Sequence, residues 1–198
     1  MNIEFLTSYE DKYKSKVLDV SSEVLKGGID SFQFCWVGKD YYTIGQTLRD
    51  LCKEYNVPFI VNNEVKAALL LGADGVHLGP TDTCLVEARK VLPNSCSIGY
   101  TINSLKQLDN EYYKHADYLG VGPIFSTTTN TDSFDGTVNI ESLSYVVQKT
   151  KKPIIAIGGV TTKNASEIKA KGVNKIAVIG DIYRSSNIQK TLNKIKNL

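Results

Sequence analysis

Eight short apolar runs alternate with helical segments along this 198-residue chain, and that alternation constrains its fold more than any other feature. The runs occupy residues 3–7, 31–35, 58–61, 75–78, 97–99, 118–121, 153–157 and 175–179. Between them, DVSSEVLKGG, IGQTLRDLCKEY, NEVKAALLLG, CLVEARKVL, IESLSYVVQKT and NASEIKAKG carry apolar residues near i, i+3 and i+4, the helical period. Strands that alternate with helices pair in parallel, and eight such units predict closure into a (β/α)₈ TIM barrel. An open doubly wound sheet is the competing architecture. No composition break marks a linker, so residues 1–198 read as one compact domain with short loops.

The punctuation is regular. In KGGIDSF, LGADGVHLG, HADYLGVG and KGVNKIAVIG a helix ends at a small residue, and an acidic or amide residue precedes an apolar strand. Gly27, Gly72 and Gly172 suit the left-handed position after a helix. These turns mark the N-terminal face of a barrel, which serves stability; function belongs at the opposite strand ends. There the sequence offers Gln33, Asn62, Asn63, Asp82, Tyr100, Thr101, Gly158, Gly159, Gly180 and the segment 122–130.

That segment lies in GVGPIFSTTTNTDSFDG, residues 120–136, which has six Ser or Thr hydroxyls and no Lys or Arg. Hydroxyls and backbone N–H groups after an apolar strand can hold phosphate oxygens, and the same residues can form a solvated turn. AIGGVTTKN ends a strand with two glycines and opens a helix, so backbone N–H groups and a positive helix end can meet an anion. AVIGDIY repeats the pattern one strand later, although Asp181 would repel phosphate if it pointed inward. Tight strand-to-helix packing is the plainer use of such glycines.

Composition removes several function classes. The formal charge is +2 and the lysines are scattered, which gives no nucleic-acid footprint. No apolar run approaches the roughly 18 residues of a membrane span, and a polar segment follows Met1 where a signal peptide would be apolar. A cytoplasmic protein without membrane contact is expected, and a homo-oligomer stays open. Cys35, Cys52, Cys84 and Cys96 lack CxxC spacing and read as buried thiols. His77 reads as a satisfied core residue and His115 as a surface helix end.

VPFIVNNEVKAALLLGADGVHLGPTD, ADYLGVGPIFSTTT and KKPIIAIGGVTTKN with GVNKIAVIGDIY resemble the thiamine-phosphate synthase/TenI family, in the right order over nearly the whole chain. The resemblance implies a transferase that joins hydroxymethylpyrimidine diphosphate to thiazole phosphate and releases pyrophosphate. By position it implies that Gln33 and Thr101 contact the pyrimidine substrate and that Asn62 touches the diphosphate. It implies Mg²⁺ on Asp82, with Asn63 at the place of a second metal ligand. Thr127 and Thr129 match the T-x-T that receives the thiazole phosphate, completed by Gly159, Ile179 and Gly180.

Three departures fall on the diphosphate side. The family pattern QLREK becomes QFCWVGKD, with Cys35 where Arg is expected and Lys39 as a displaced stand-in for the lysine. The family's Asn-Asp after the third strand becomes Asn62–Asn63, and Asn130 stands where Lys follows T-x-T. Three readings follow: a divergent synthase, a TenI-like thiazole-phosphate-binding protein without synthase activity, and a scaffold that keeps only the barrel. Some TenI relatives isomerise the thiazole with a histidine after the fifth strand, where this chain has Asn103.

Overall fold

The computed structural model describes residues 1–8, 10–109, 111–126 and 138–198. The chain runs β1 (Asn2–Leu6), α1 (Asp11–Lys14), α2 (Val17–Lys26), β2 (Ser31–Phe34), α3 (Tyr41–Glu54), β3 (Phe59–Asn62), α4 (Val65–Leu70), β4 (Gly75–Leu78), α5 (Leu85–Val91) and β5 (Ser97–Ile102). After two 3₁₀ turns (Leu105–Leu108 and Tyr112–His115) come β6 (Tyr118–Val121), α6 (Ile140–Lys149), β7 (Ile154–Ala156), α7 (Ala165–Ala170), β8 (Lys175–Val178), α8 (Gly180–Tyr183) and α9 (Ile188–Lys196). All eight strands pair in parallel in chain order, and β8 returns to β1 to close the barrel. The doubly wound alternative is thereby excluded.

Alternation along each strand separates two cores. One parity faces the helices: Phe5, Phe32, Phe34 and Phe59 are fully buried there, with Phe5 and Phe32 rings 5.5 Å apart and Phe34 and Phe59 rings 5.7 Å apart. The other parity fills the barrel lumen, where the apolar cluster is small, made of Leu6, Cys35, Ile155 and Ala177. Polar side chains occupy much of the remaining lumen: Glu4, Ser31, Gln33 and His77 are all buried.

The N-terminal turns repeat one device. Asp30, Asp74 and Asp117, each just before an even-numbered strand, accept the N–H of Ile3, Phe59 and Ile98 on the preceding strand at 2.7–2.8 Å. Their own N–H groups return to the carbonyls of the same three residues. These carboxylates hold strands in register. Gly72 and Gly172 have positive φ, as the turn pattern predicts. The first such turn differs, since Gly27 is right-handed at φ −71° and the left-handed residue is Gly28 at φ +72°. Gly27 is needed for space instead, because a Cβ there would overlap Leu192 of α9. Cys84 also departs from the buried reading: it is exposed ahead of α5, where Tyr112 donates its hydroxyl to Sγ at 3.1 Å.

Candidate active site

A cavity of about 670 Å³ opens at the C-terminal ends of the strands and touches both Asp82 and Gly159. Gln33, Asn62, Asn63, Thr101, Ile179 and Gly180 also line it. Another cavity, about 580 Å³, opens at the opposite mouth among Asp30, Lys151, Lys152 and Lys175. Asp30 there is committed to the strand turn already described.

The β7–β8 corner is built from backbone. Gly158 and Gly159 have φ of +95° and +62°, a region that side chains other than glycine's rarely occupy. A Cβ on Gly159 would lie 2.5 Å from Ser126 O and 2.8 Å from Phe125 Cβ, so the loops after β6 and β7 touch through these glycines. Among the described residues the N–H groups of Gly159, Val160 and Gly180 have no acceptor, and all three residues line the cavity. The following N–H groups are engaged. Thr161 N donates to Asn164 Oδ1 at 2.7 Å, Thr162 N to Asp181 Oδ2 at 2.9 Å and Lys163 N to Thr161 Oγ1 at 3.2 Å. The donors open to an anion are therefore the strand-end amides, while the start of α7 satisfies itself. Asp181 uses a carboxylate oxygen in that capping. Arg184 folds over Gly180, whose Cβ would meet Nη1 at 2.5 Å, and is the single Lys or Arg among the described lining residues.

The β2–β4 side is built from side chains. Gln33 and Cys35 share the inward parity of β2, and Thr7 pins the strand end by accepting from Cys35 N and donating to Cys35 O, both at 2.7 Å. Burial pushes the Cys35 thiol far above its ordinary pKa. Asn62 is half-buried; Asn63 is exposed and left-handed at φ +67°, and its N–H donates to His77 O at 2.8 Å. Asp82 Oδ2 accepts from Gly79 N at 2.6 Å, which fixes the carboxylate at the end of β4. Lys39 lies exposed in the turn before α3 and does not line the cavity, nor does Glu64 at the start of α4. Trp36 is buried with Nε1 donating to Asp40 at 2.9 Å, and Tyr41 packs edge-on against Phe34, so neither covers the mouth. Thr127, Thr129 and Asn130 lie outside the described residues.

The floor joins the two sides. His77 Nε2 is 2.9 Å from Thr101 Oγ1, and Nδ1 is 3.2 Å from the Tyr118 hydroxyl. Burial lowers the His77 pKa to about 4, so the ring is neutral at pH 7 and serves to fix Thr101. Gly120 makes room for it, because a Cβ there would lie 2.7 Å from His77 Cε1. Asn103, two residues beyond Thr101, lines the cavity at 8% exposure, and its side-chain amide has no hydrogen bond among the described residues. Arg184, Asn103 and the β1-end residues Thr7 and Ser8 join the mouth beyond the residues assigned from sequence. Alternation alone placed Thr7 at a strand end. The inward parity of Asn103 with Thr101 was a further available signal.

Asp82 brings one carboxylate, and Asn62 and Asn63 bring side-chain amides, to the cavity lining at neighbouring strand ends. Among the described residues no three His, Cys, Asp or Glu side chains gather to enclose a metal. This donor set does not fit an all-protein cage, but it fits Mg²⁺, which keeps several waters and binds one or two carboxylates together with substrate phosphates.

The chain matches the family model described as thiamine monophosphate synthase over residues 3–182. It is 36% identical over 188 residues to the thiamine-phosphate synthase of Pasteurella multocida (strain Pm70), covering 90% of this chain and 85% of that protein. Against thiamine-phosphate synthase 1 of Streptococcus pneumoniae serotype 4 it is 35% identical over 183 residues, covering 89% and 87%. Among solved structures, the thiamine phosphate pyrophosphorylase from Pyrococcus furiosus superposes with a TM-score of 0.85 at 32% identity, covering 99% of this chain and 94% of that one.

Proposed function

Because the chain belongs to the thiamine monophosphate synthase family, we propose that its C-terminal mouth joins hydroxymethylpyrimidine diphosphate to thiazole phosphate and releases pyrophosphate. The observation that carries this reading is a single cavity that unites an amide-rich corner with Gln33, Asn62 and Asp82. The thiazole nitrogen attacks the pyrimidine methylene; a C–N bond forms as the C–O bond to diphosphate breaks. The leaving group carries the electron pair away, so the site must stabilise developing negative charge and align two rings.

In this reading the Gly159, Val160 and Gly180 amides and the Arg184 guanidinium hold the thiazole phosphate. Thr127 and Thr129, by their match to the family's T-x-T, complete the cradle. Gln33 and Thr101 hold the pyrimidine, and His77 keeps Thr101 in place from below. Asn62 and Asp82 face the diphosphate, with Asn63 beside them, and the resemblance assigns Asn130 to the same ligand. Asp82, Asn62 and Asn63 would hold Mg²⁺, which when bound neutralises diphosphate charge. Lys39 is left to the outer surface by its position.

A TenI-like reading draws on one observation, the absence of a described Lys or Arg lining the β2–β4 side. Pyrophosphate release with both substrates and Mg²⁺ separates the two readings. Turnover that depends on both substrates is expected. Calorimetric binding of thiazole phosphate with no pyrophosphate release would sink the synthase and leave the binding protein.

A further inference from the structure

The lumen holds one carboxylate that the proposed reaction does not use. Glu4 of β1 is 2% exposed, one layer below Gln33. Ser31 Oγ donates to its Oε2 at 2.7 Å, and Gln33 Nε2 donates to its Oε1 at 3.1 Å. Burial raises the Glu4 pKa, and the Lys175 charge on β8 opposes that rise. Removing a carboxylate from water costs several kcal/mol even after relaxation, and an apolar side chain of the same volume commonly gives an equal or more stable protein. Its register partner on β8, Ala177, belongs to the apolar lumen cluster and does not call for a charge.

What a carboxylate supplies here is direction. It can only accept, so the Gln33 amide must turn its NH₂ group down toward Glu4. Its carbonyl oxygen then faces the next layer, where Cys35 Sγ lies 3.7 Å from Gln33 Oε1, and beyond it the mouth. We propose that Glu4 is a positioning residue that locks the Gln33 carbonyl toward the mouth, so that the site selects a pyrimidine presenting an exocyclic amine and rejects one presenting an oxo group. This inference rests on Gln33 being the pyrimidine contact.

Calorimetry with the aminopyrimidine diphosphate and its 4-oxo counterpart reads the discrimination directly, with no need for turnover. Glu4→Gln keeps the shape but can donate or accept, which frees Gln33 to flip; the ratio of the two dissociation constants should fall at least about tenfold. Thiazole-phosphate affinity should stay unchanged and the melting temperature should hold or rise. Glu4→Met, which removes the acceptor altogether, should act in the same direction and gives a second test if the first variant folds poorly. An unchanged ratio in a folded variant overturns the inference, as does a lost ratio accompanied by equally weakened thiazole-phosphate binding, which would mark general damage. Gln33→Met separates the layers of the argument. If it weakens the aminopyrimidine while the Glu4 variants keep the ratio, only the positioning role fails; if it changes nothing, the pyrimidine contact and this inference fall together.

Discussion

At the β7–β8 corner three backbone amides and Arg184 meet the cavity, whereas the β2–β4 side meets it with Gln33, Cys35, Asn62, Asn63 and Asp82 and with no described cation. The first arrangement is written into backbone conformation: two positive-φ glycines and a close loop contact aim the donors, and few side chains need to agree. The second depends on each side chain separately, and substitution can change its charge without disturbing a strand. A phosphate held by amides and a diphosphate held by side chains should therefore respond differently to mutation.

Asp82→Asn should give the largest effect. It removes the one described carboxylate that lines the cavity from the β3–β4 ends, and loss of one charge-organising group of this kind costs on the order of 3 kcal/mol, about two orders of magnitude in turnover. Added Mg²⁺ should restore part of that loss, and calorimetry should show thiazole phosphate binding as before. Equal damage to both ligands would break the division of the mouth. A stability effect of similar size belongs to the floor beneath both halves. His77 falls from 6.5 to about 4 on folding, so its contribution is present above pH 6.5 and about 3 kcal/mol of stability is lost as pH falls through the folded value. Glu4, whose pKa is raised, acts in the opposite sense: its contribution is present at low pH and lost as pH rises through its folded value. Urea titrations from pH 7 to pH 4 should show a steeper fall in Glu4→Met than in His77→Gln. Next in size is Arg184→Ala, which should weaken thiazole phosphate by about 1.5–3 kcal/mol, as expected for a hydrogen bond to a charged group, and spare the pyrimidine diphosphate. A larger effect on the diphosphate would move Arg184 to the other half.

Much of this was legible because barrel strands announce themselves by apolar runs and their C-terminal ends follow. Each of the eight runs contains or overlaps a strand, and Gln33, Asn62, Asp82, Thr101 and Gly159 all meet one cavity. Burial of single side chains was less legible, because it depends on neighbours from distant strands. Cys84 sits beside apolar residues in sequence yet is exposed at a helix start. Glu4 is an acidic residue yet lies in the lumen, since β1 parity and the layer below Gln33 place it there. The fifth unit has 3₁₀ turns where its neighbours have α-helices, so His115, read as the end of a surface helix, closes a 3₁₀ turn. Lys39, four residues after Cys35 in sequence, is exposed and does not line the cavity, a separation that the sequence does not reveal.

The smallest expected effect is a gain, and it tests whether the β2–β4 side is weak for want of charge. Asn63→Asp adds a carboxylate to the mouth that Asp82 also lines. The backbone there is left-handed at φ +67°, a conformation that Asp tolerates about as well as Asn, and the residue is exposed, so folding should be unaffected. A hard cation prefers charged oxygen ligands, so half-saturation of turnover by Mg²⁺ should shift to lower concentration by up to about tenfold. Cys35→Arg is not expected to add to this, despite the forked donors a guanidinium offers to phosphate. Cys35 is buried beside Leu6, Ile155 and Ala177, and forcing a long side chain into that lumen costs about 1–3 kcal/mol. A lower melting temperature without faster turnover is the expected result for the double variant. If Asn63→Asp leaves the Mg²⁺ dependence where it was while Cys35→Arg folds well and speeds the reaction, the missing element is a cation for the leaving group, and the lumen has room for it.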